Sequence, residues 1–296
     1  MTRSGIAAAG WLEKAELAAV WEKCFGDPPR HIHYFFNNLF EPQNCLTYRE
    51  DGRIVSMVHM LPARIADGGR LVQAHYIYAA ATLPEYRSRG LMGQLLEAAF
   101  QAGRRRGDRY SFLLPANRSL YRFYGNLGYT VGFELRTLAV SREEMQQAAA
   151  GAPVWQFLPD YGKLCDFRRE WLSGQDGSAH WDARRLAYAD GINRLDGGKL
   201  ICSMAGDRPA YALCRPAAEA GACEVLELAA DPETFAGLAA NLVDAIDAQQ
   251  YFLRLPGDGP LFAGRGRRAG FGMIRSLAAG TAPPVGKSPY LGLTLD

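Results

Sequence analysis

Residues 76–93 read YIYAAATLPEYRSRGLMG, which is an apolar strand-like run, a short loop and the start of a helix. The helix is expected over roughly residues 91–103, because its apolar positions follow one face of a 3.6-residue period. A loop of small residues at a helix start leaves backbone N–H groups open, and the helix dipole adds partial positive charge. The stretch therefore predicts an anion site formed by Arg87, Ser88, Arg89, Gly90, Leu91, Met92 and Gly93.

A second strand-like run, YSFLLP at residues 110–115, leads into the helical stretch ANRSLYRFYGNLGY at residues 116–129. With the first stretch it resembles the GCN5-related N-acetyltransferase (GNAT) superfamily, whose signature is Arg/Gln-x-x-Gly-x-Gly/Ala at the end of the fourth strand. Arg87, Gly90 and Met92 occupy the three signature positions, and Met92 departs from the usual Gly or Ala. The family's second pattern, an Asn, a helical Tyr and a Gly-aromatic pair, is matched by Asn117, Tyr124, Gly128 and Tyr129.

The fold expected from the strand and helix pattern is α/β (α+β), with helices on the faces of a mixed sheet. Two helices are expected before residue 41, and hairpin turns at Asp51-Gly52 and around Asp67-Gly69. The resemblance implies the same class, a mostly antiparallel twisted sheet flanked by helices. It also implies that Phe35 and Phe36 line an acceptor groove, although a place in the core is the simpler interpretation of two adjacent aromatic residues.

The resemblance implies acetyl-CoA as co-substrate and a primary amine, on a small molecule or a peptide, as acceptor. The loop would hold the pyrophosphate through backbone N–H groups, with Arg87 and Arg89 adding charge. One N–H of the preceding strand end would polarise the thioester oxygen. This assigns coenzyme contacts to the loop, to Asn117 and to the strand residues Ala80, Ala81 and Thr82.

Tyr124 is the candidate acid that protonates the coenzyme thiolate, since a phenol can donate a proton to a thiolate formed beside it. A purely structural ring is the alternative, because the helix is rich in aromatic residues. The general base stays open between His75, Glu134 and a chain of waters. Related two-domain enzymes sometimes use the terminal carboxylate, and nothing in the sequence establishes that role for Asp296.

The second half of the chain resembles a degenerate copy of the first. The stretch FLRLPGDGPLFAGRGRRAGFGMI from residue 252 repeats the pattern that begins at residue 112, and strands and a helix precede both. The strand-to-helix junction of this second copy is the acidic run 230–233, which would repel a pyrophosphate. Gly264-Arg265 lies where the counterpart of Tyr124 would be expected. We expect a coenzyme domain over residues 1–145 and a copy without coenzyme over residues 155–296.

Composition favours an ordinary globular enzyme: 296 residues, 48% hydrophobic, 22% charged and a net charge of +2. Such a charge gives no general argument for a nucleic-acid or membrane partner. The six cysteines form no C-x-x-C pair and no metal-ligand spacing, so we expect free thiols, no metal and a cytoplasmic location. A homo-oligomer stays possible, as do two other functions: a tandem-fold transferase that uses aminoacyl-tRNA, and a non-catalytic coenzyme-A-binding module.

Overall fold

The computed structural model of the chain describes residues 4–155, 157–278, 280–284 and 286–295. Its helices are α1 Lys14–Phe25, α2 Pro29–Asn38, α3 Leu91–Arg106, α4 Arg118–Asn126, α5 Arg142–Ala149, α6 Tyr161–Trp171, α7 Ala183–Leu195 and α8 Phe235–Ala245. Its strands are β1 Gly5–Ala8, β2 Cys45–Glu50, β3 Arg53–Asp67, β4 Arg70–Thr82, β5 Tyr110–Leu113, β6 Thr130–Val131, β7 Glu134–Ser141, β8 Ala179–His180, β9 Lys199–Ala205, β10 Arg208–Pro216, β11 Ala222–Ala229, β12 Gln250–Leu255, β13 Arg267–Gly270 and β14 Met273–Ser276.

The chain forms two compact units, and the first comprises residues 1–65, 70–131 and 272–283. Its sheet has the strand order β1-β2-β3-β4-β5-β14-β6. Strands β4 and β5 are parallel, whereas β5 and β14 are antiparallel. The mixed, largely antiparallel sheet with flanking helices confirms the predicted fold class.

The two predicted hairpin turns are present. Asp51 and Gly52 have φ values of 50° and 82°, and Gly68 and Gly69 have values of 59° and 72°. Positive φ at both central residues gives a turn whose twist matches that of the strands it joins, and Gly adopts it without steric cost. The short loops fix β2 against β3, with Glu50 opposite Arg53.

Helix α3 packs on one face of the first sheet. Its predicted apolar side chains Leu91, Leu95, Leu96, Ala99 and Phe100 are all buried. The last four share a hydrophobic cluster with residues of β3, β4, β5, α4 and β14. The helix that begins at the proposed anion loop is therefore anchored along its length.

The second unit comprises residues 66–69, 132–271 and 284–296. Its sheet has the order β13-β7-β12-β11-β10-β9, in which β11 and β12 are parallel and the other pairs are antiparallel. The succession β10, β11, α8, β12 repeats the succession β3, β4, α3, β5. A parallel pair follows an antiparallel one in both units, and this agrees with the duplicated pattern of the sequence.

Each sheet contains an interior strand from the other half of the chain, β14 in the first sheet and β7 in the second, and β8 also pairs with β3 of the first sheet. β14 lies between β5 and β6, with Met273 opposite both Leu113 and Val131. β7 lies between β12 and β13, with Leu138 opposite Leu253. The units thus divide the chain differently from the expected ranges 1–145 and 155–296, because the last strand of each repeat is exchanged.

The polar run near residue 145, where the boundary between the two expected domains falls, forms helix α5 of the second unit. Ser141 and Glu144 make a reciprocal capping box, and Met145 is buried against the core that contains α8. Capping and one apolar face suffice to fold a short polar segment onto a neighbouring helix.

Among the residues that the structure describes, no helix is both long and apolar enough to cross a membrane.

Candidate functional site

The candidate site begins where β4 separates from β5. The two strands pair at three positions, the last being Tyr76 opposite Phe112, while β4 continues to Thr82. Ala79 has a φ of 45°, a left-handed conformation that is uncommon for a residue with a Cβ atom and costs conformational energy. This irregularity lies between the paired part of β4 and its end, so the edge of Ala80–Thr82 faces a gap.

The end of β4 is held on its other side by β3. Ser56 Oγ donates to the Ala81 carbonyl at 2.8 Å and lies 2.7 Å from Thr82 Oγ1. The Leu83 N–H donates to the Val55 carbonyl at 2.9 Å. Ser56 is fully buried. Sequence reasoning did not identify it, although one serine within an apolar strand was a usable signal.

The loop after β4 has the open form that the sequence predicts. A 3₁₀ turn at Pro84–Tyr86 precedes Ser88 and Gly90, whose φ values are 63° and 74°. Gly90 is the N-cap residue of α3, and no side chain makes a capping hydrogen bond at the helix start. The first intrahelical bond runs from the Gln94 N–H to the Gly90 carbonyl at 3.1 Å, so the N–H groups of residues 91–93 have no partner within the helix.

Space around these N–H groups is open. A Cβ atom built at Gly90 or Gly93 meets no atom within 4 Å. Met92, the departure from the signature, packs its half-buried side chain against the cluster that contains Leu95 and Leu96. The Met92 side chain therefore lies on the core side of the helix. It leaves the helix start uncapped in the loop of residues 87–93, the cradle loop, where an anion could be bound.

The charged side chains of the loop all have partners within the protein. Arg87 Nε donates to the Thr82 carbonyl at 3.0 Å. Arg89 lies 3.3 Å from Glu50 and stacks on the Tyr86 ring at 4.9 Å. Backbone N–H groups, rather than free guanidinium groups, are thus the open donors of the cradle.

Tyr124 projects from α4 into the core cluster that also contacts Ala80 and Met92. Its ring meets those of Phe123 and Tyr129 at 5.1 and 5.7 Å. Burial raises its pKa to about 12, so the phenol carries its proton at neutral pH. The ring is therefore a core residue, in the cluster against which Ala80 and Met92 also pack, and its role as a proton donor stays a prediction.

Asn117 is the N-cap of α4. Its Oδ1 accepts from the N–H groups of Ser119 and Leu120 at 3.1 and 3.3 Å, and from Ser119 Oγ at 2.7 Å. A cap of this kind fixes where the helix of Tyr124 begins. Only the amide nitrogen of Asn117 is left for a ligand.

Two histidines of the first unit are core residues. His75 is fully buried and its Nδ1 lies 2.7 Å from Asp108, which also pairs with Arg106 at 2.6 Å. Burial lowers the pKa of His75 in spite of the neighbouring carboxylate. His59 lies among aromatic rings, 4.9 Å from Phe35, and burial lowers its pKa to about 3.

The remaining candidates are Phe35, Phe36, Glu134 and Asp296. Phe35 and Phe36 are buried, so they belong to the core. Glu134 lies on β7 of the second sheet. Asp296 lies outside the described residues.

The matching junction of the second unit carries its own anion. Asp231 Oδ1 accepts from the N–H groups of Glu233 and Thr234 at 3.1 and 3.0 Å, and Oδ2 pairs with Arg208 at 2.6 Å. Burial opposes ionisation of Asp231, but the Thr234 and Arg208 hydrogen bonds outweigh it and lower the pKa. Arg265, near the position expected for a phenol, pairs with Glu144 at 2.9 Å. A carboxylate thus occupies the place that is open in the first unit.

Within the part of the chain that the structure describes, no group of three or more His, Cys, Asp and Glu side chains is arranged to hold a metal ion.

Comparison with known proteins gives one family. Residues 12–132 match the sequence model of the acetyltransferase (GNAT) domain. No curated protein matches the chain in sequence.

Several solved structures share the fold over nearly the whole chain. A GCN5-related N-acetyltransferase from Anabaena variabilis has a TM-score of 0.76 at 15% identity, with 93% of this chain and 73% of that chain covered. One from Kribbella flavida has a TM-score of 0.73 at 17% identity, with 93% and 72% covered. A probable N-acyltransferase from Enterococcus faecalis has a TM-score of 0.68 at 17% identity, with 93% and 73% covered.

Proposed function

We propose that this chain, whose residues 12–132 belong to the GNAT acetyltransferase family, moves an acetyl group from acetyl-CoA to a primary amine by direct attack. The acceptor is a small molecule or a peptide. Two observations together carry the proposal. The start of α3 at Gly90 has no side-chain cap, and the preceding strand end, Ala80–Thr82, does not pair with β5.

Coenzyme binding is assigned to the backbone. The N–H groups of residues 91–93 would hold the pyrophosphate, because α3 offers them without a side-chain cap and adds its dipole. The edge of Ala80–Thr82 would receive the pantetheine arm in the gap beside β4. Asn117 Nδ2 is a further donor, since its oxygen alone is used by the helix cap.

The chemical step needs a polarised carbonyl and a proton for the leaving group. The amine nitrogen attacks the thioester carbon, the C–N bond forms, and the C–S bond breaks with the electron pair on sulfur. A strand N–H would stabilise the developing oxyanion. Tyr124 would then protonate the thiolate, since burial keeps its phenol neutral.

Burial of His75 in the core leaves Glu134 and a chain of waters as the candidates for removal of the amine proton. The second unit is assigned no coenzyme. Its helix start is already neutralised by Asp231, whose negative charge would repel a pyrophosphate.

Calorimetry with acetyl-CoA and release of free thiol across a panel of primary amines test the proposal. We expect saturable binding of one coenzyme and amine-dependent thiol release. Thermal shift with charged tRNA serves as the comparison. Stabilisation by charged tRNA without any by acetyl-CoA would refute it, and so would coenzyme binding without turnover on any amine.

A further inference from the structure

We infer that Arg87 is a positioning residue. Its side chain donates a hydrogen bond to the Thr82 carbonyl, so that the end of β4 presents only N–H donors to the thioester. The inference rests on the proposed function and assigns Arg87 a task other than phosphate binding. It depends on three hydrogen bonds around two consecutive peptide groups.

The first peptide group joins Ala81 to Thr82. Its carbonyl points toward β3, where Ser56 Oγ donates to it at 2.8 Å. In a trans peptide the N–H points opposite to the carbonyl, so the Thr82 N–H points away from β3. That is the side on which β5 has ended at Leu113. A hydrogen-bond donor therefore faces the gap.

The second peptide group joins Thr82 to Leu83 and is turned the other way. Its N–H points toward β3 and donates to the Val55 carbonyl at 2.9 Å. The Thr82 carbonyl therefore points to the gap beside its own N–H. Arg87 Nε donates to this carbonyl at 3.0 Å.

The electrostatic consequence concerns the acyl oxygen of the donor. A thioester carbonyl, and still more its tetrahedral oxyanion, is attracted by the Thr82 N–H and repelled by the lone pairs of a free Thr82 carbonyl. Arg87 removes that repulsion by binding the carbonyl. It also fixes the strand end to the loop five residues later, which aligns the two parts of the coenzyme site.

The guanidinium of Arg87 also turns toward α1. Burial raises the pKa of the Cys24 thiol of α1, and the nearby Arg87 side chain opposes that rise. Lys23 beside it pairs with Glu85 at 2.7 Å, so the end of α1 contacts the loop. These contacts place the Arg87 side chain between α1 and β4.

Two substitutions separate the donor from the charge. Arg87→Gln keeps a side-chain N–H donor and removes the positive charge, whereas Arg87→Met removes both at similar length. The matched control is Arg105→Gln, which removes an exposed charge near the far end of α3. The readouts are the Kd for CoA by calorimetry at two salt concentrations, and kcat with acetyl-CoA and the fastest amine of the panel.

We expect Arg87→Gln to keep kcat within about threefold of the wild type, and Arg87→Met to lose about tenfold or more, as for one lost positioning hydrogen bond. The Kd for CoA should change by less than about threefold in both, with the salt dependence of the wild type. CoA binding by the wild type tests the proposed function separately.

Equal loss of CoA affinity in the Gln and Met variants, with a weaker salt dependence, would identify Arg87 as a phosphate ligand and overturn the inference. Wild-type kcat in Arg87→Met would overturn it as well. Arg87 is exposed, so both variants are expected to fold. Ser56→Ala tests the hydrogen bond that orients the Ala81 carbonyl toward β3. Its control is Ser203→Ala, because Ser203 is also a buried serine but its hydroxyl has no hydrogen-bond partner.

Discussion

Ile274 of β14 lies directly opposite Phe112 of β5, in the part of the first sheet next to its β6 edge. The strand that continues the first sheet past β5 is thus made from the last part of the chain. In exchange, β7 of the first repeat completes the second sheet.

A fragment of residues 1–150 is therefore expected to lack a cooperative fold. It would leave β5 and β6 unpaired on one edge and would carry β7 without a sheet, exposing apolar surface. Urea unfolding followed by circular dichroism, with calorimetry for acetyl-CoA, measures this. The comparison is a chain that joins residues 1–131 to 270–283 by a flexible linker, which restores β14. Cooperative unfolding of the 1–150 fragment would contradict the role given to the exchanged strand.

Gly90→Glu should weaken acetyl-CoA binding by at least about tenfold, because it adds a negative charge at the open helix start. Gly90→Ala is the matched variant: its Cβ meets no atom within 4 Å, so it introduces only the strain of a φ of 74°. Asp231→Ala, at the matching junction of the second unit, should leave affinity unchanged. Calorimetry showing equal affinity for Gly90→Glu and Gly90→Ala would show that no phosphate binds there.

Tyr124→Phe should lower kcat by about 10²–10⁴ with nearly unchanged CoA affinity, since it keeps the buried ring and removes the proton donor. Steady-state thiol release and calorimetry give the two values. A loss that appears only in coenzyme affinity would make Tyr124 a positioning residue.

His59 should make the protein less stable in mild acid. Its folded pKa of about 3 lies below the ordinary value of 6.5, so the unfolded chain binds a proton that the folded chain excludes. Stability from this group is complete above pH 6.5 and falls by about 1.4 kcal/mol per pH unit toward pH 3.

The variant His59→Phe should flatten that dependence, with exposed His33→Gln as the control. Urea unfolding at pH 7, 6 and 5 measures the slope. An unchanged slope in His59→Phe would show that the imidazole is already accessible to protons in the folded state.

The sequence was sufficient for features that depend on neighbouring residues. The turn at Asp51-Gly52, the buried face of α3 and the open loop before Leu91 all follow from local periodicity and from glycine conformation. Each is determined within about one helical turn or one hairpin, so a single sequence contains the needed information.

Features set by distant residues could not be predicted in the same way. The sequence pattern of residues 273–276 predicts a strand but not the sheet to which it belongs, because both repeats end in similar strand-like segments. The left-handed Ala79 is equally hidden, since alanine is not typical of that conformation. The hydrogen bond from Arg87 to the Thr82 carbonyl could not be predicted either, because it depends on how the loop folds back onto β4.

The exchange of β7 and β14 gives the protein a particular order of assembly during synthesis. Every residue of the loop at 87–93 leaves the ribosome long before β14 does, yet β14 is an interior strand of the first sheet, paired on both sides. At roughly 5–20 residues per second, the nascent first half waits about ten to thirty seconds for that strand. A premature stop anywhere before residue 273 would thus deprive the first sheet of β14, even where the stop lies in the second half of the chain.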